Sequence, residues 1–139
     1  CVIYENVLLT ERVKGITLSV PCNHPDHIKA GIRHNKTLRK AAKMTIYDTP
    51  VHALRIGDCA FVTNPFELYI EYSLRMRARS KAEHTFTAEL TDDCAAYLPT
   101  PNAVASKSYS AMVSNCMVTC EAGELLTEIS IRMINSMWE

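Results

Sequence analysis

Residues 49–64, TPVHALRIGDCAFVTN, constrain this fold more than any other stretch. Two apolar segments bracket "RIGD", so the pattern predicts a strand, a tight Gly-Asp turn and a second strand. "CAFV" is apolar throughout, which suits a strand buried on both faces. The run ends at Asn64-Pro65, and the spacing predicts a helix from Pro65 to about Arg79. Glu67 then falls at the third helical position after an asparagine cap, a capping-box pattern that also suits the helix dipole. The same carboxylate stands where a buried strand gives way to a helix, the place where open α/β sheets bind ligands. Glu67 is therefore read both as a helix cap and as a candidate metal ligand.

The rest of the chain alternates between the two periodicities. Residues 7–20 are rich in β-branched types and fit two short strands or one interrupted strand. Residues 21–44 turn helical, with Asn23 or Asp26 as cap and a thin stripe of Ile28, Ile32, Leu38 and Ala42. "HTFTAEL", residues 84–90, reads as a strand with Phe86, Ala88 and Leu90 on one side. Residues 91–115 form a long turn-rich connection without obvious regular structure, a type that is usually functional. Residues 121–139 read as an amphipathic helix with a stripe of Ala122, Leu126, Ile129, Met133 and Met137. This order predicts an α/β class: a layered mixed sheet with helices packed on it, a single domain over residues 1–139 and part of a larger α/β domain.

Composition narrows the function. Fifteen basic and fifteen acidic side chains cancel, and the basic runs "RHNKTLRK" and "RMRARSK" have no interleaved aromatics. No nucleic-acid partner is expected. No apolar run is long enough to span a bilayer, and no signal-peptide pattern is visible. The chain opens "CVIYENVLLT" without a methionine, so we expect a fragment of a longer protein, itself cytoplasmic or exported. Six cysteines lack any CxxC pair, and Cys116 and Cys120 are the closest. We read them as reduced, mostly buried thiols, with one bridge left open.

His24 and His27 form an H-x2-H pair with His34 further on, but no third local ligand accompanies them. Surface histidines are the simpler reading. His52 and His84 fall on predicted strands and carry no spacing signal. No P-loop, G-x-G-x-x-G, G-x-S-x-G or H-E-x-x-H motif occurs.

Taken in order, "LRIGDCAFVTNPFELYIEYSLRMRARS", "TFTAELTDDCAAYLPTPNAV" and "YSA" resemble the neutral/alkaline ceramidase-like family. The resemblance runs from about Pro50 to Ala111 and corresponds to the later part of that family's catalytic domain. It implies a zinc-dependent hydrolase of the amide in N-acyl sphingoid lipids. Carried over by position, the glutamate of the family's P-x-E is Glu67 and its metal-proximal tyrosine is Tyr97, in "AAYLPT". Both are implied as metal ligands, at neighbouring strand ends and facing one pocket. Cys94 replaces the family's first tyrosine of this segment, and Ala96 stands where a glycine is common.

The family's two zinc-binding histidines and catalytic serine have no counterpart in these residues. The resemblance therefore implies zinc in a full-length parent, none bound by this fragment, and no activity of the fragment alone. The implied partner is the missing N-terminal part of the parent domain. Homodimerisation through exposed sheet edges is a further expectation. The alternative is a non-catalytic α/β structural or interaction domain in which Glu67 only caps its helix and Tyr97 only packs.

Overall fold

The computed structural model describes residues 12–21, 46–112 and 115–138. The expected helix at 21–44, with His24, His27 and His34, lies outside these residues apart from Pro21. Strand β1 (Arg12–Pro21) is one continuous strand. It pairs antiparallel with β2 (Ile46–Ile56), from Arg12 opposite Arg55 to Pro21 opposite Ile46. Along β2 the residues Tyr47, Thr49, Val51 and Ala53 alternate into the core. Gly57, with φ of +58°, supplies the left-handed turn residue that returns the chain into β3 (Cys59–Thr63). The hairpin expected from "RIGD" is therefore present.

Past β3 the chain departs from expectation. The helix does not begin at Pro65. Residues Glu67–Leu68 form a two-residue strand, β4, and helix α1 spans Ile70–Arg79. Buried Asn64 caps no helix. Its Oδ1 accepts from the Phe66 backbone N–H at 3.0 Å, an asparagine turn two residues long. That turn redirects the chain before it can coil.

β5 (His84–Ala88) returns parallel to β3, so the four-stranded sheet runs β1-β2-β3-β5. Its buried face also differs from expectation: Thr85 points into the core, and Phe86 and Leu90 are exposed. "CAFV" likewise buries one face, Ala60 and Val62, while Phe61 is half-buried and stacks on Phe86 with centroids 5.0 Å apart. The apolar character of these residues reflects a second, partly covered face of the sheet.

The long connection is structured. It contains β6 (Tyr97–Leu98), the short helix α2 (Pro101–Ala105) and a 3-10 turn at Tyr109–Ala111. Thr100 caps α2 by accepting from the Ala103 N–H, and Pro101 fits its first turn. Helix α3 (Glu121–Asn135) closes the layer. Ala122, Leu126 and Met133 are buried as the stripe predicts, and Ile129 is half-buried. Met137 is buried too, in the turn after the helix. Arg55 fixes that end: its guanidinium lies 4.1 Å from the Trp138 ring centroid and donates to the Met137 carbonyl.

α1 and α3 pack together and share Tyr72. Arg75 grips Glu124 through two 2.7 Å bonds, and Arg79 grips Glu128 the same way one turn on. These pairs are open to solvent, so water and salt screen them and each contributes little to stability. Beneath them the buried Tyr72 hydroxyl lies 2.9 Å from the Pro99 carbonyl and 3.2 Å from that of Cys120. Burial, and then the charge of Glu124, push its phenol well above the usual tyrosine range. Burial does the same for Tyr47, helped by its bond to Asp93.

The sign of the linkage follows. The folded chain holds these protons more tightly than the unfolded chain. The stability they contribute is complete below the ordinary tyrosine pKa of about 10 and is lost as pH rises beyond it. Followed by phenolate absorbance, Tyr47 and Tyr72 are expected to ionise only as the fold is lost. Titration of all six tyrosines near the ordinary value with unchanged far-UV circular dichroism would contradict this.

Among the described residues no helix is long and apolar enough to cross a membrane. Cys59, Cys94, Cys116 and Cys120 form no disulfide. Among the described cysteines the expectation of mostly buried thiols holds fully for Cys116 alone, since Cys59 and Cys120 are half-buried and Cys94 is exposed; Cys1 and Cys22 lie outside the described residues. Burial pushes the Cys116 thiol up to about 12.

Candidate functional site

The carboxyl ends of the parallel strands β3 and β5 are tied together by backbone bonds. Asn64 N–H donates to the Ala88 carbonyl and Thr91 N–H donates to that of Asn64, each at 3.0 Å. Just past this junction the chain leaves β3 through Pro65, while the 91–96 loop returns beside it. Ala95 N–H donates to the Pro65 carbonyl at 2.8 Å, and Glu67 N–H to that of Ala96 at 3.0 Å. The two passes then form a second, parallel ladder, β4 with β6. Its register sets Glu67 opposite Tyr97 and Leu68 opposite Leu98.

Register partners point to the same side of a ladder. Leu68 and Leu98 therefore both turn into the core, and Glu67 and Tyr97, both half-buried, turn the other way. The Glu67 carboxylate holds the Tyr97 phenol above its ordinary pKa, first by hydrogen bonding and second by charge. Thirty residues apart in sequence, the two candidates are side-chain neighbours. They do not end β3 and β5, as the strand-end expectation had it. They begin a ladder of their own beyond those ends.

Ala96 makes this placement work. It takes φ of +60°, a left-handed conformation that costs a non-glycine residue about 1–2 kcal/mol. It is held by its carbonyl bond from Glu67 and by a bridge to Cys116. The position the family resemblance marks as commonly glycine is thus one whose backbone favours glycine.

Two further phenols stand close enough to Tyr97 to affect it: Tyr109 on the 3-10 turn and Tyr69 at the start of α1. Tyr109 is 72% exposed. Sequence reasoning quoted "YSA" only as part of the resemblance and assigned Tyr109 nothing. Its signal lies in the fold, because that turn packs on β6. The site is thus a carboxylate paired with a phenol, able to offer oxygen donors to a cation and an O–H donor to an oxyanion.

The other candidates fall elsewhere. His52, on β2, places Nε2 3.2 Å from Asp92 Oδ2, and His84 lies on β5 beside Glu83. Neither the groove of about 500 Å³ lined by Leu74 and Phe86 nor the pocket of about 220 Å³ lined by Pro99 and Cys120 includes Glu67 or Tyr97. Among the described residues no three His, Cys, Asp or Glu side chains group to hold a metal ion. Glu67 and Tyr97 offer two side-chain oxygens, fewer than the four donors a structural zinc ion takes.

No protein-family model matches the sequence, and no curated protein sequence does. Solved structures do match. A neutral ceramidase from Pseudomonas aeruginosa superposes with a TM-score of 0.60 at 13% identity, over 91% of this chain and 28% of that one. A structure described as ceramidase complexed with C2 superposes with a TM-score of 0.61 at 12% identity, over 91% of this chain and 30% of that one. The chain spans under a third of the length of either. At these identities the likeness is one of fold: this chain folds like a portion of a neutral ceramidase.

Proposed function

We propose that this chain is the C-terminal portion of a zinc-dependent amide hydrolase domain resembling neutral ceramidase, acting in its full-length parent on an N-acyl sphingoid or related linear amide. The observation that carries the reading is the register pairing of Glu67 with Tyr97 across the β4–β6 ladder. The resemblance named those two residues from sequence, and the fold likeness supports a ceramidase-like domain.

In this reading Glu67 and Tyr97 hold zinc together with donors from the remainder of the parent. The chemistry that zinc supplies in such a site is Lewis acidity toward an amide carbonyl and toward water. The chain's own residues do the rest. Glu67 offers a fixed anionic donor because the backbone on either side of Leu68 is bonded: the Glu67 N–H donates to the Ala96 carbonyl and the Tyr69 N–H to that of Leu98. Its carboxylate favours the protonated Tyr97 phenol, and a cation held by the pair would favour the phenolate instead. Tyr109, exposed on the turn that packs on β6, would be available to donate to an oxyanion.

The reading is tested by zinc-dependent hydrolysis of an N-acyl sphingoid amide in the full-length polypeptide that carries this segment. Glu67→Gln is expected to lower kcat/KM by about a hundredfold or more, since losing even a supporting partner of a metal site costs roughly 10–100-fold. Unchanged hydrolysis in Glu67→Gln would reject the assignment.

The non-catalytic alternative rested on Glu67 as a helix cap. Glu67 lies in β4, the cap position of α1 is Tyr69, and no side chain caps that helix.

A further inference from the structure

Glu67 and Tyr97 arrive at their ladder by different routes, and one side chain of β2 touches both routes. Tyr47, near the start of β2, is 2% exposed and faces the core. Its ring meets that of Phe66 edge-on, with centroids 6.1 Å apart, directly before Glu67 in the chain. Its hydroxyl donates to Asp93 Oδ2 at 3.0 Å, in the loop that leads to Tyr97. Asp93 uses its other oxygen as well: Oδ1 accepts from the Cys94 backbone N–H at 2.8 Å. A buried phenol thus reaches an exposed carboxylate that in turn fixes the local backbone.

This loop is one that needs holding. Leu90, Asp92 and Ala96 take positive φ, of 52°, 66° and 60°. The left-handed region is unfavourable for each, since none is glycine. Such conformations persist where the surrounding contacts over-determine them. β2 supplies two of those contacts, one from each of its faces, because alternate strand residues point to opposite sides. Tyr47 ties Asp93 from the buried face, and on the other face His52 places Nε2 3.2 Å from Asp92 Oδ2. The His52 tie is open to solvent, with side chains 40% and 45% exposed, so water weakens it. The bond from buried Tyr47 is the firmer of the two. Beyond Asp93 the same backbone builds the site: Ala95 N–H donates to the Pro65 carbonyl, and the Ala96 carbonyl accepts from Glu67.

We propose that Tyr47 and Asp93 are positioning residues for the Glu67–Tyr97 pair. The phenol holds the Phe66 turn by its ring and the 91–96 loop by its hydroxyl, and so keeps the β4–β6 ladder in register. The use of that register by a metal centre rests on the hydrolase reading; the ordering itself does not.

The test is amide hydrogen exchange, followed by NMR, on the chain and three variants. Tyr47→Phe keeps the ring against Phe66 and removes only the hydroxyl. Asp93→Ala removes the acceptor at an exposed position and leaves the core packing intact. In both, the Glu67 and Tyr69 amides, which donate to Ala96 and Leu98, are expected to exchange about tenfold faster, while the β2–β3 ladder is unchanged. Asp93→Asn should fall between, because a carboxamide offers one oxygen where two are used. Tyr47→Phe combined with Asp93→Ala should exchange no faster than Asp93→Ala alone, since the same bond is lost. Wild-type exchange at Glu67 and Tyr69 in both single variants would overturn the proposal. So would equal acceleration of both ladders, which marks a general loss of stability. Zinc content of the full-length polypeptide separates the two readings. A protein without zinc whose β4–β6 ladder opens selectively in Tyr47→Phe rejects the hydrolase and keeps the positioning role. Bound zinc with an unmoved ladder in Tyr47→Phe does the reverse.

Discussion

Gly123→Ala is expected to destabilise the fold by about 3 kcal/mol, the upper part of the range for overpacking a core. Gly123 sits in the first turn of α3, where that helix crosses the Tyr72 ring. A Cβ there would come within 2.6 Å of Tyr72 Cε2 and closer still to the ring's Cζ and hydroxyl. The ring has little freedom to retreat, because it is fully buried and its hydroxyl is placed against the Pro99 and Cys120 carbonyls. Moving it would also disturb Pro99, two residues beyond Tyr97. The measurement is chemical denaturation of the variant beside the wild type, read at the midpoint. Gly123→Ala combined with Tyr72→Leu should recover part of the loss, since the smaller side chain makes room. An unchanged midpoint in Gly123→Ala would show that the two helices do not approach this closely.

Asn64→Ala is expected to cost about 2 kcal/mol and to disturb the candidate site as well. Asn64 is 1% exposed, and its side chain bonds the Phe66 N–H and the Ala88 carbonyl. Alanine leaves that buried N–H without its partner, a penalty of roughly 1–3 kcal/mol. The asparagine turn also steers the chain from β3 into β4. Loosening it should free Glu67 from its register with Tyr97. Two readouts separate the effects: the denaturation midpoint, and the titration of Tyr97 followed by NMR on ring-labelled tyrosine. The Tyr97 phenol should ionise closer to its ordinary value in Asn64→Ala. If stability falls while Tyr97 titrates as in the wild type, Asn64 supports the core without positioning the site.

Asn64 also shows what the sequence could and could not convey. Asparagine, proline and glutamate at 64, 65 and 67 read as a helix start, because each suits a cap locally. The competing asparagine turn is equally local, and what decides between them is the 91–96 loop, which offers Phe66's neighbours a strand partner. No periodicity records a partner thirty residues away. The same reason hid β6 and α2 in a segment read as loop. The "RIGD" hairpin and the α3 stripe were legible because they depend on local turn chemistry and on one-sided burial. The strand at 84–88 was legible in position, but its faces were inverted. Phe86 is the larger apolar side chain, yet Thr85 faces the core, and Phe86 lies half-exposed on the edge strand. Apolar residues predict burial, and at that edge they mark a surface whose cover is not in the described chain. Glu67 and Tyr97 were legible only through the family resemblance. Nothing in their spacing says that they pair.

The most direct test of their shared role is zinc content. It should be measured by elemental analysis on the purified full-length polypeptide carrying this segment, with Glu67→Gln and Tyr97→Phe alongside. One zinc per wild-type chain is expected, with loss of metal in Glu67→Gln and weakened retention in Tyr97→Phe. Full zinc in both variants, or a wild-type protein that takes up none, would contradict the assignment of this carboxylate–phenol pair to a metal centre.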